Sequence, residues 1–198
     1  MNIEKTLSVQ KREGCGKGPS GRLRAEKLIP GVFYTANGEN ISVQAPALPL
    51  EKIYGEMGHT TVFNLEIEDN GQKTMHPVLI WQVQFHPYKR AFTHIDFYGV
   101  DLNKEVTVDV PVEFVGTSRG VKLGGRLETY REIVRLCSKP LAMPQKITVD
   151  VTDMGMNDTV TVSDLKLPEN VHAVFDQNFA LVSVISKSKD DEAEGSDA

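Results

Sequence analysis

Alternation of apolar and polar residues runs through the first 99 residues and predicts strands. Ile3, Leu7 and Val9 share one side of a two-residue period, which predicts a strand over residues 2–12. RAFTHIDF, residues 90–97, has the same alternation and predicts another strand. Two hairpins are predicted between them, GVFYT with ISVQA around the turn ANGEN, and TVFNLEIE with PVLIWQVQF around DNG. Six strands in about 100 residues suit a small β-barrel.

Two short helices are predicted among these strands. Ser20 is a suitable N-cap for a helix over residues 21–29, which Pro30 ends. Pro49 fits the first position of a helix over LEKIYGEM. The expected fold of this part is therefore mainly β (α+β), a small six-stranded β-barrel with two or three short helices.

From about residue 100 the chain has a cleaner two-residue period and hardly any helical period. VTVDVPVEF, KITVDV, TVTV and FALVSVI each predict a strand, so a second, mostly β domain is expected. Residues 187–198 are charged and poor in aliphatic side chains, which predicts a disordered acidic tail. The predicted domains are residues 1–99, residues 100–186 and this tail.

Composition is that of a soluble globular protein, with 25% charged and 40% hydrophobic residues in 198. No apolar run approaches the roughly 18–20 residues of a membrane span, and the N-terminal residues do not resemble a secretory signal. We therefore expect no membrane partner. Cys15 and Cys137 lie far apart without a C-x-x-C motif, which favours reduced thiols in a cytosolic protein.

The net charge of −5 argues against nucleic acid, but the charge is unevenly distributed. Residues 1–30 hold seven basic and three acidic side chains. Residues 100–186 hold nine basic and twelve acidic ones, and residues 187–198 hold two and five. Because local charge governs local binding, the N-terminal segment is the candidate for a polyanion.

A glycine-rich segment, GCGKGPSGRLR over residues 14–24, coincides with this positive charge. Residues 16–21 match G-x-G-x-x-G, but the strand before them is polar, and about nine residues before Pro30 are too few for a parallel crossover. A P-loop is excluded because Gly18 stands where serine or threonine should bind magnesium. Two interpretations remain, a flexible surface loop and a basic arm that binds a nucleic-acid backbone.

The second candidate site is HPYKRAFTHID, residues 86–96. His86, His94 and Asp96 could serve acid–base catalysis or bind a metal, or they could belong to a strand pair that faces a polar partner. No activated nucleophile, third metal ligand or cofactor loop accompanies them. The sequence therefore predicts no enzyme, no cofactor, no metal and no small-molecule substrate.

Taken in order, GKGPSGRLR, IPGVFYT, VQFHPYK and HIDF resemble the bacterial ribosomal protein family that binds 5S rRNA. The long members of this family, which include the general stress protein Ctc, carry a second β domain. The resemblance continues there through EVTVDVPVEFVG, GVKLGGRLE, ITVDV and VSDLKLPENV. It covers nearly all of residues 5–185.

The resemblance implies a structural component of the large (50S) ribosomal subunit, cytoplasmic and active in translation, that binds 5S rRNA through its N-terminal domain. We expect it to be monomeric off the ribosome. The acidic second domain would touch neighbouring ribosomal proteins, or 23S rRNA locally through Arg119, Lys122 and Arg126. Two other hypotheses are a stress or RNA-associated factor off the ribosome, and an enzyme that uses His86 and His94.

The resemblance also implies which residues contact RNA: Lys11, Arg12, Lys17, Ser20, Arg22, Arg24, Gln84, His86, Lys89, His94 and Asp96. The carboxylate of Asp96 would accept from base amino groups or hold His94. Two positions depart from the family pattern, since Gly21 replaces an arginine and Phe85 replaces a basic residue. Each departure is expected to remove a phosphate contact, for which Arg90 could compensate.

Overall fold

The computed structural model describes residues 5–69, 71–89 and 91–186. Expectations for Ile3, Arg90 and the tail over residues 187–198 lie outside this part. No helix within it is long and apolar enough to cross a membrane. The elements of the first 99 residues are β1 (Thr6–Lys11), α1 (Lys17–Ala25), β2 (Leu28–Thr35), β3 (Asn40–Pro46), α2 (Ala47–Met57), β4 (Phe63–Asp69), β5 (Gln72–Phe85) and β6 (Phe92–Gly99).

The first six strands close into a barrel in the order β1-β3-β2-β6-β5-β4. Both predicted hairpins are present as the antiparallel pairs β2–β3 and β4–β5. Two parallel pairings, β1 with β4 and β2 with β6, complete the barrel. The predicted mainly β fold with a six-stranded barrel is confirmed.

Alternate residues of these strands fill the barrel. Phe33, Phe63 and Phe97 are fully buried at its centre, with Leu7, Val9, Val43, Leu65 and Ile95 around them. Side chains between these positions point outwards, since successive residues of a strand face opposite sides. On β6, buried Ile95 and Phe97 thus alternate with the outward-facing His94 and Asp96.

The glycine-rich segment is mostly helical, so the prediction of a loop followed by a helix over residues 21–29 was wrong. The helix α1 begins after Gly16, whose φ of +97° suits glycine, and ends at Ala25. Pro19 is tolerated because it lies in the first helical turn, where the backbone N–H has no intrahelical partner. Ser20 therefore lies inside the helix, and Pro30 lies inside β2.

The second predicted helix is confirmed as α2, but it begins earlier than predicted. Its first residue is Ala47, so Pro49 is the third helical residue. This position is also within the first turn, where a missing N–H costs no hydrogen bond. Leu50 and Ile53 of α2 are buried against the barrel core.

The remaining elements are β7 (Val106–Val115), α3 (Arg119–Lys122), β8 (Arg126–Thr129), β9 (Ile133–Ser138), β10 (Ile147–Asp150), β11 (Thr159–Thr161), β12 (His172–Ala173) and β13 (Ala180–Ile185), with two 3-10 turns, Pro140–Ala142 and Val162–Asp164. They form a four-stranded sheet, β10-β7-β9-β12, and a three-stranded sheet, β11-β13-β8. The prediction of a second, mostly β region is confirmed.

The chain forms two compact units. The first contains the residues up to Val108 together with Ser138–Gln145, and the second contains Asp109–Cys137 and the described residues from Lys146 onwards. In the first unit, Val62 and Leu79 pack in one cluster with Val100 and Val108. The domain boundary at residue 99 stays a prediction, because a compact unit is not in itself a domain that folds alone.

Candidate nucleic-acid interface

Polar side chains collect on the outer face of the barrel where β5 and β6 pair. On β6, Ile95 is buried, so its neighbours His94 and Asp96 face outwards. On β5, Gln84 lies opposite His94, and Gln82 lies opposite Asp96. Cross-strand partners have Cβ atoms roughly 4.5–5.5 Å apart, so these four side chains form one patch.

His94 and Asp96 contact each other within this patch. The Nδ1 atom of His94 is 2.9 Å from Oδ1 of Asp96, and about a quarter of each side chain is exposed. A neutral imidazole that donates from Nδ1 to a carboxylate has its lone pair on Nε2. His94 can then accept a hydrogen bond at Nε2, for example from a hydroxyl or an amino group.

Tyr34 of β2 lies beside this pair and was not among the predicted site residues. Its strand pairs with β6, so that Val32 is opposite Asp96 and Tyr34 is opposite Tyr98. Burial is the main cause that raises the pKa of the Tyr34 phenol, and the negative charge of Asp96 raises it further. The phenol therefore stays protonated near neutral pH and can donate a hydrogen bond. The sequence signal that could have identified Tyr34 is the alternation of β2, in which Phe33 is buried and its neighbour Tyr34 therefore faces outwards.

The helix α1 is tied to the same region of the barrel through Arg24. Its Nε–H donates to the carbonyl oxygen of Thr93 at 3.0 Å. The hydroxyl of Thr93 in turn donates to the carbonyl oxygen of Gln84, also at 3.0 Å. These two bonds join the glycine-rich segment, β5 and β6, which are the three stretches that carry the predicted RNA contacts.

The exposed side of α1 is basic. Lys17, Gly21 and Arg24 follow the i, i+4, i+7 spacing that places residues on one helical face, and Arg22 is exposed beside them. A Cβ atom at Gly21 would meet nothing within 4 Å, so packing does not require glycine there. Ser20 is half-buried in the same helix.

Lys11 and Arg12 interact with the protein itself. The Nζ atom of Lys11 is 2.6 Å from Oδ2 of Asp69, and this hydrogen bond is the main cause that raises the pKa of the lysine. Arg12 donates from Nη1 to the carbonyl oxygen of Gly14 at 3.1 Å. Its Nε is buried and has no hydrogen-bond partner among the described residues. Like Arg24, these two predicted phosphate contacts thus make intramolecular interactions.

His86 shapes the loop that follows β5. Its Nδ1 accepts hydrogen bonds from the backbone N–H groups of Tyr88 at 3.2 Å and Lys89 at 3.3 Å. The backbone N–H of His86 donates to the carbonyl oxygen of Ala91 at 2.9 Å. The loop thereby holds Lys89 exposed at its tip.

Phe85 lies on the other side of β5 from Gln84. Its ring packs against Phe92 of β6 and Tyr54 of α2, with centroid distances of 5.0 Å and 6.0 Å. The departure from the family pattern at this position therefore changes the α2 side of the barrel rather than the patch around His94.

The structure thus brings only part of the predicted site residues together. Gln84, His94 and Asp96 form the outward patch, and α1 brings Arg24 to its edge, whereas Lys11 is bonded to Asp69 of β4. Within the described residues, no group of three or more His, Cys, Asp or Glu side chains could hold a metal ion.

Known protein families match both parts of the chain. The model of the Ribosomal L25p family matches residues 7–97, and that of the Ribosomal protein TL5, C-terminal domain, matches residues 105–188. Large ribosomal subunit protein bL25 of Desulfovibrio desulfuricans is 87% identical over 197 residues, covering 100% of this chain and 99% of that protein. The bL25 protein of Nitratidesulfovibrio vulgaris strain DP4 is 56% identical over 186 residues, covering 94% and 98%.

A third relative, bL25 of Lawsonia intracellularis, is 53% identical over 185 residues, covering 93% of this chain and 94% of that protein. These similarities confirm the resemblance that the sequence motifs carry. Members of such a family are structural proteins of the ribosome, which in bacteria is cytoplasmic, and they are not enzymes. The hypothesis of an enzyme that uses His86 and His94 is therefore rejected. The chain belongs to the ribosomal L25p family, in the long form that carries the TL5-type C-terminal domain.

Proposed function

We propose that this chain binds 5S rRNA in the large ribosomal subunit through the outer face of its barrel and the basic side of α1, without a catalytic step. One observation carries the proposal: the bonds from Arg24 to Thr93 and from Thr93 to Gln84 bring three separate sequence segments to one surface. A helix with exposed cations beside a patch of hydrogen-bonding groups suits phosphates and nucleotide edges together.

The chemistry of the patch agrees with RNA as the ligand. The minor groove of A-form RNA is wide and shallow and displays 2′-hydroxyl groups and base edges. Gln82, Gln84 and the Nε2 atom of His94 offer donors and acceptors for these groups. The carboxylate of Asp96 would repel phosphates, but it orients His94 and can accept from base amino groups.

The basic side chains divide between phosphate binding and structure. Lys17, Arg22, Arg24 and Lys89 are exposed and are the proposed phosphate contacts. Lys11 is bonded to Asp69, so its contribution to phosphate binding is expected to be small. With four phosphate contacts, the slope of log K against log salt concentration is expected to be about −3.5.

For the second unit we propose protein neighbours, with at most local contact to 23S rRNA. Three of its exposed basic residues form ion pairs, Arg119 with Asp153, Arg135 with Asp109 and Lys146 with Glu113. Carboxylates beside these cations weaken the attraction of this region for phosphates. The assignment of residues 1–99 to RNA and residues 100–186 to other contacts belongs to the same proposal.

The test is equilibrium binding of the full chain to 5S rRNA and to an unrelated structured RNA of the same length, over a series of salt concentrations. Arg22→Ala is expected to flatten the salt slope by about 0.9. His94→Ala is expected to reduce the preference for 5S rRNA and to leave the slope nearly unchanged, because it removes a contact to a base or sugar and no charge.

Arg126→Ala, in the second unit, is the matched control. It removes one positive charge, as Arg22→Ala does, but at a position far from α1 in the sequence. It is expected to leave both affinity and slope nearly unchanged. Equal effects of Arg22→Ala and Arg126→Ala would contradict the proposed interface. Absence of the protein from large subunits purified during normal growth would instead favour the hypothesis of an RNA-associated factor off the ribosome.

A further inference from the structure

A β-bulge in β5 places the only tryptophan of the chain next to the proposed RNA patch. Ile80 is opposite Phe97 and Gln82 is opposite Asp96, so Trp81 is the extra residue between these two pairs. A bulge interrupts the strict alternation of a strand and redirects a side chain. Ile80 is buried in the barrel, whereas Trp81 is 47% exposed and directly precedes Gln82 of the patch.

The exposed tryptophan is one end of a row of aromatic rings across three strands. The Trp81 ring lies 5.3 Å from the ring of Tyr98 on β6, and the Tyr98 ring lies 5.6 Å from that of Tyr34 on β2. Tyr98 also packs on the cluster that contains buried Leu79. The row is therefore anchored at its centre, and its Trp81 end presents a large aromatic side chain to the surroundings.

We propose that Trp81 is a stacking platform for an unpaired nucleotide of the bound RNA, immediately beside the contacts of His94 and Asp96. The inference rests on the proposed 5S rRNA interface and adds a residue to it. Continuity with that interface identifies the occupant, because Trp81 directly precedes Gln82, which lies opposite Asp96 in the patch.

The chemistry of the position also favours a nucleobase. Every base has an uncharged π face that can stack on an aromatic side chain, so stacking needs no basic residue at the contact itself. The indole N–H can add a hydrogen bond to a base or to a ribose oxygen. Folded RNA offers bases for such contacts in loops and bulges, where they are unstacked.

The experiment compares full-length wild type, Trp81→Ala and Trp81→Phe for binding to 5S rRNA over a series of salt concentrations. Trp81→Ala is expected to weaken binding between about 5-fold and about 150-fold, the range found when one stacking side chain is removed. Its salt slope is expected to match the wild type, because no charge is lost. Trp81→Phe is expected to retain most of the affinity, because it keeps an aromatic face.

Tyr130→Ala is the matched control, since Tyr130 is a 55% exposed aromatic residue of the second unit. It is expected to bind as the wild type does. Because the chain has one tryptophan, the tryptophan emission of the wild type, excited where tyrosine does not absorb, reports on Trp81 alone, and 5S rRNA is expected to quench it. Circular dichroism of each variant separates loss of stacking from loss of fold.

Wild-type affinity of Trp81→Ala, together with weakened binding of Arg22→Ala, would overturn the stacking inference and leave the proposed function intact. If Trp81→Ala bound 5S rRNA with wild-type affinity but was absent from purified large subunits, Trp81 would be assigned to a protein neighbour, and the stacking inference would also be overturned. Failure of the wild type to prefer 5S rRNA over the unrelated RNA would overturn the proposed function, and the stacking inference with it.

Discussion

Replacement of Arg24 by lysine separates two roles that the structure gives to this side chain. Arg24 adds positive charge to the exposed side of α1, and its Nε–H donates to the carbonyl oxygen of Thr93 at 3.0 Å. Lysine keeps the charge but lacks a planar group that can bond to the carbonyl and to a phosphate at the same time. Arg24→Lys is therefore expected to lose the anchor of α1 and to keep the electrostatic attraction.

The size of the effect follows from the exposure and the geometry of the bond. Hydrogen bonds of charged donors contribute about 1.5–3 kcal/mol, and neutral ones contribute about 0.5–1.5 kcal/mol. Because Arg24 is exposed and water competes for its donors, we expect about 1 kcal/mol, which is about a 5-fold loss of affinity. The salt slope of the variant is expected to be that of the wild type, since the number of charges is the same.

Arg22→Lys is the matched control on the same helix. Within the described residues, the side chain of Arg22 makes no hydrogen bond to the protein. This variant therefore loses only the planar guanidinium group that can bind a phosphate through two hydrogen bonds. The assay is fluorescence anisotropy of labelled 5S rRNA with the full chain at salt concentrations from 50 to 200 mM. An affinity of Arg24→Lys equal to that of Arg22→Lys would refute the role of the anchor.

Gly21→Arg is expected to tighten binding and to steepen the salt slope by about 0.9, whereas Gly21→Ala, which raises only the helix propensity, should leave the slope unchanged. A steeper slope in both variants, or in neither, would contradict this. Asp96→Asn is expected to reduce the preference for 5S rRNA and to lower the pKa of Tyr34 without restoring its ordinary value, because burial is the larger cause; an NMR titration of labelled tyrosine that shows no change would contradict it. His86→Asn is expected to bind RNA better than His86→Ala, since the asparagine oxygen can accept the same backbone N–H groups, and equal binding would argue against the loop role of His86.

The barrel could be predicted from the sequence because its signals are local. The alternation of apolar and polar residues around Leu7, Val9 and Phe33 indicates which side of each strand faces the core. The Asn-Gly turn of the first hairpin gave the antiparallel pairing of β2 with β3, which the structure contains. Neither signal depends on residues far apart in the chain.

The helix α1 could not be predicted in its true position. Glycine and proline lower helix propensity, and KGPSGRLRA contains three such residues in nine. The helix forms because Pro19 lies in the first turn, where it costs no hydrogen bond, and because Arg24 ties the last turn to Thr93 of β6. That tie joins residues far apart in sequence, and local propensity contains no information about it.

For the candidate site, the sequence proposes a set of residues but contains no information about their arrangement. The bond of Lys11 to Asp69 spans 58 positions and changes the expected role of the lysine. The bulge at Trp81 breaks the strand period at one residue, which a two-residue pattern cannot anticipate. Both features follow from the register between strands.

The most direct test of the central claim is site-specific photo-crosslinking from two glutamines of β5. Gln84 belongs to the patch, and Gln72 is an exposed glutamine at the other end of the same strand. Each is replaced in turn by a photoactivatable phenylalanine derivative in the full chain, and large ribosomal subunits that contain the variant are irradiated. The account predicts a cross-link to 5S rRNA from position 84 and little or none from position 72. Cross-links from position 84 only to proteins or to 23S rRNA, or equal 5S rRNA cross-links from both positions, would contradict it.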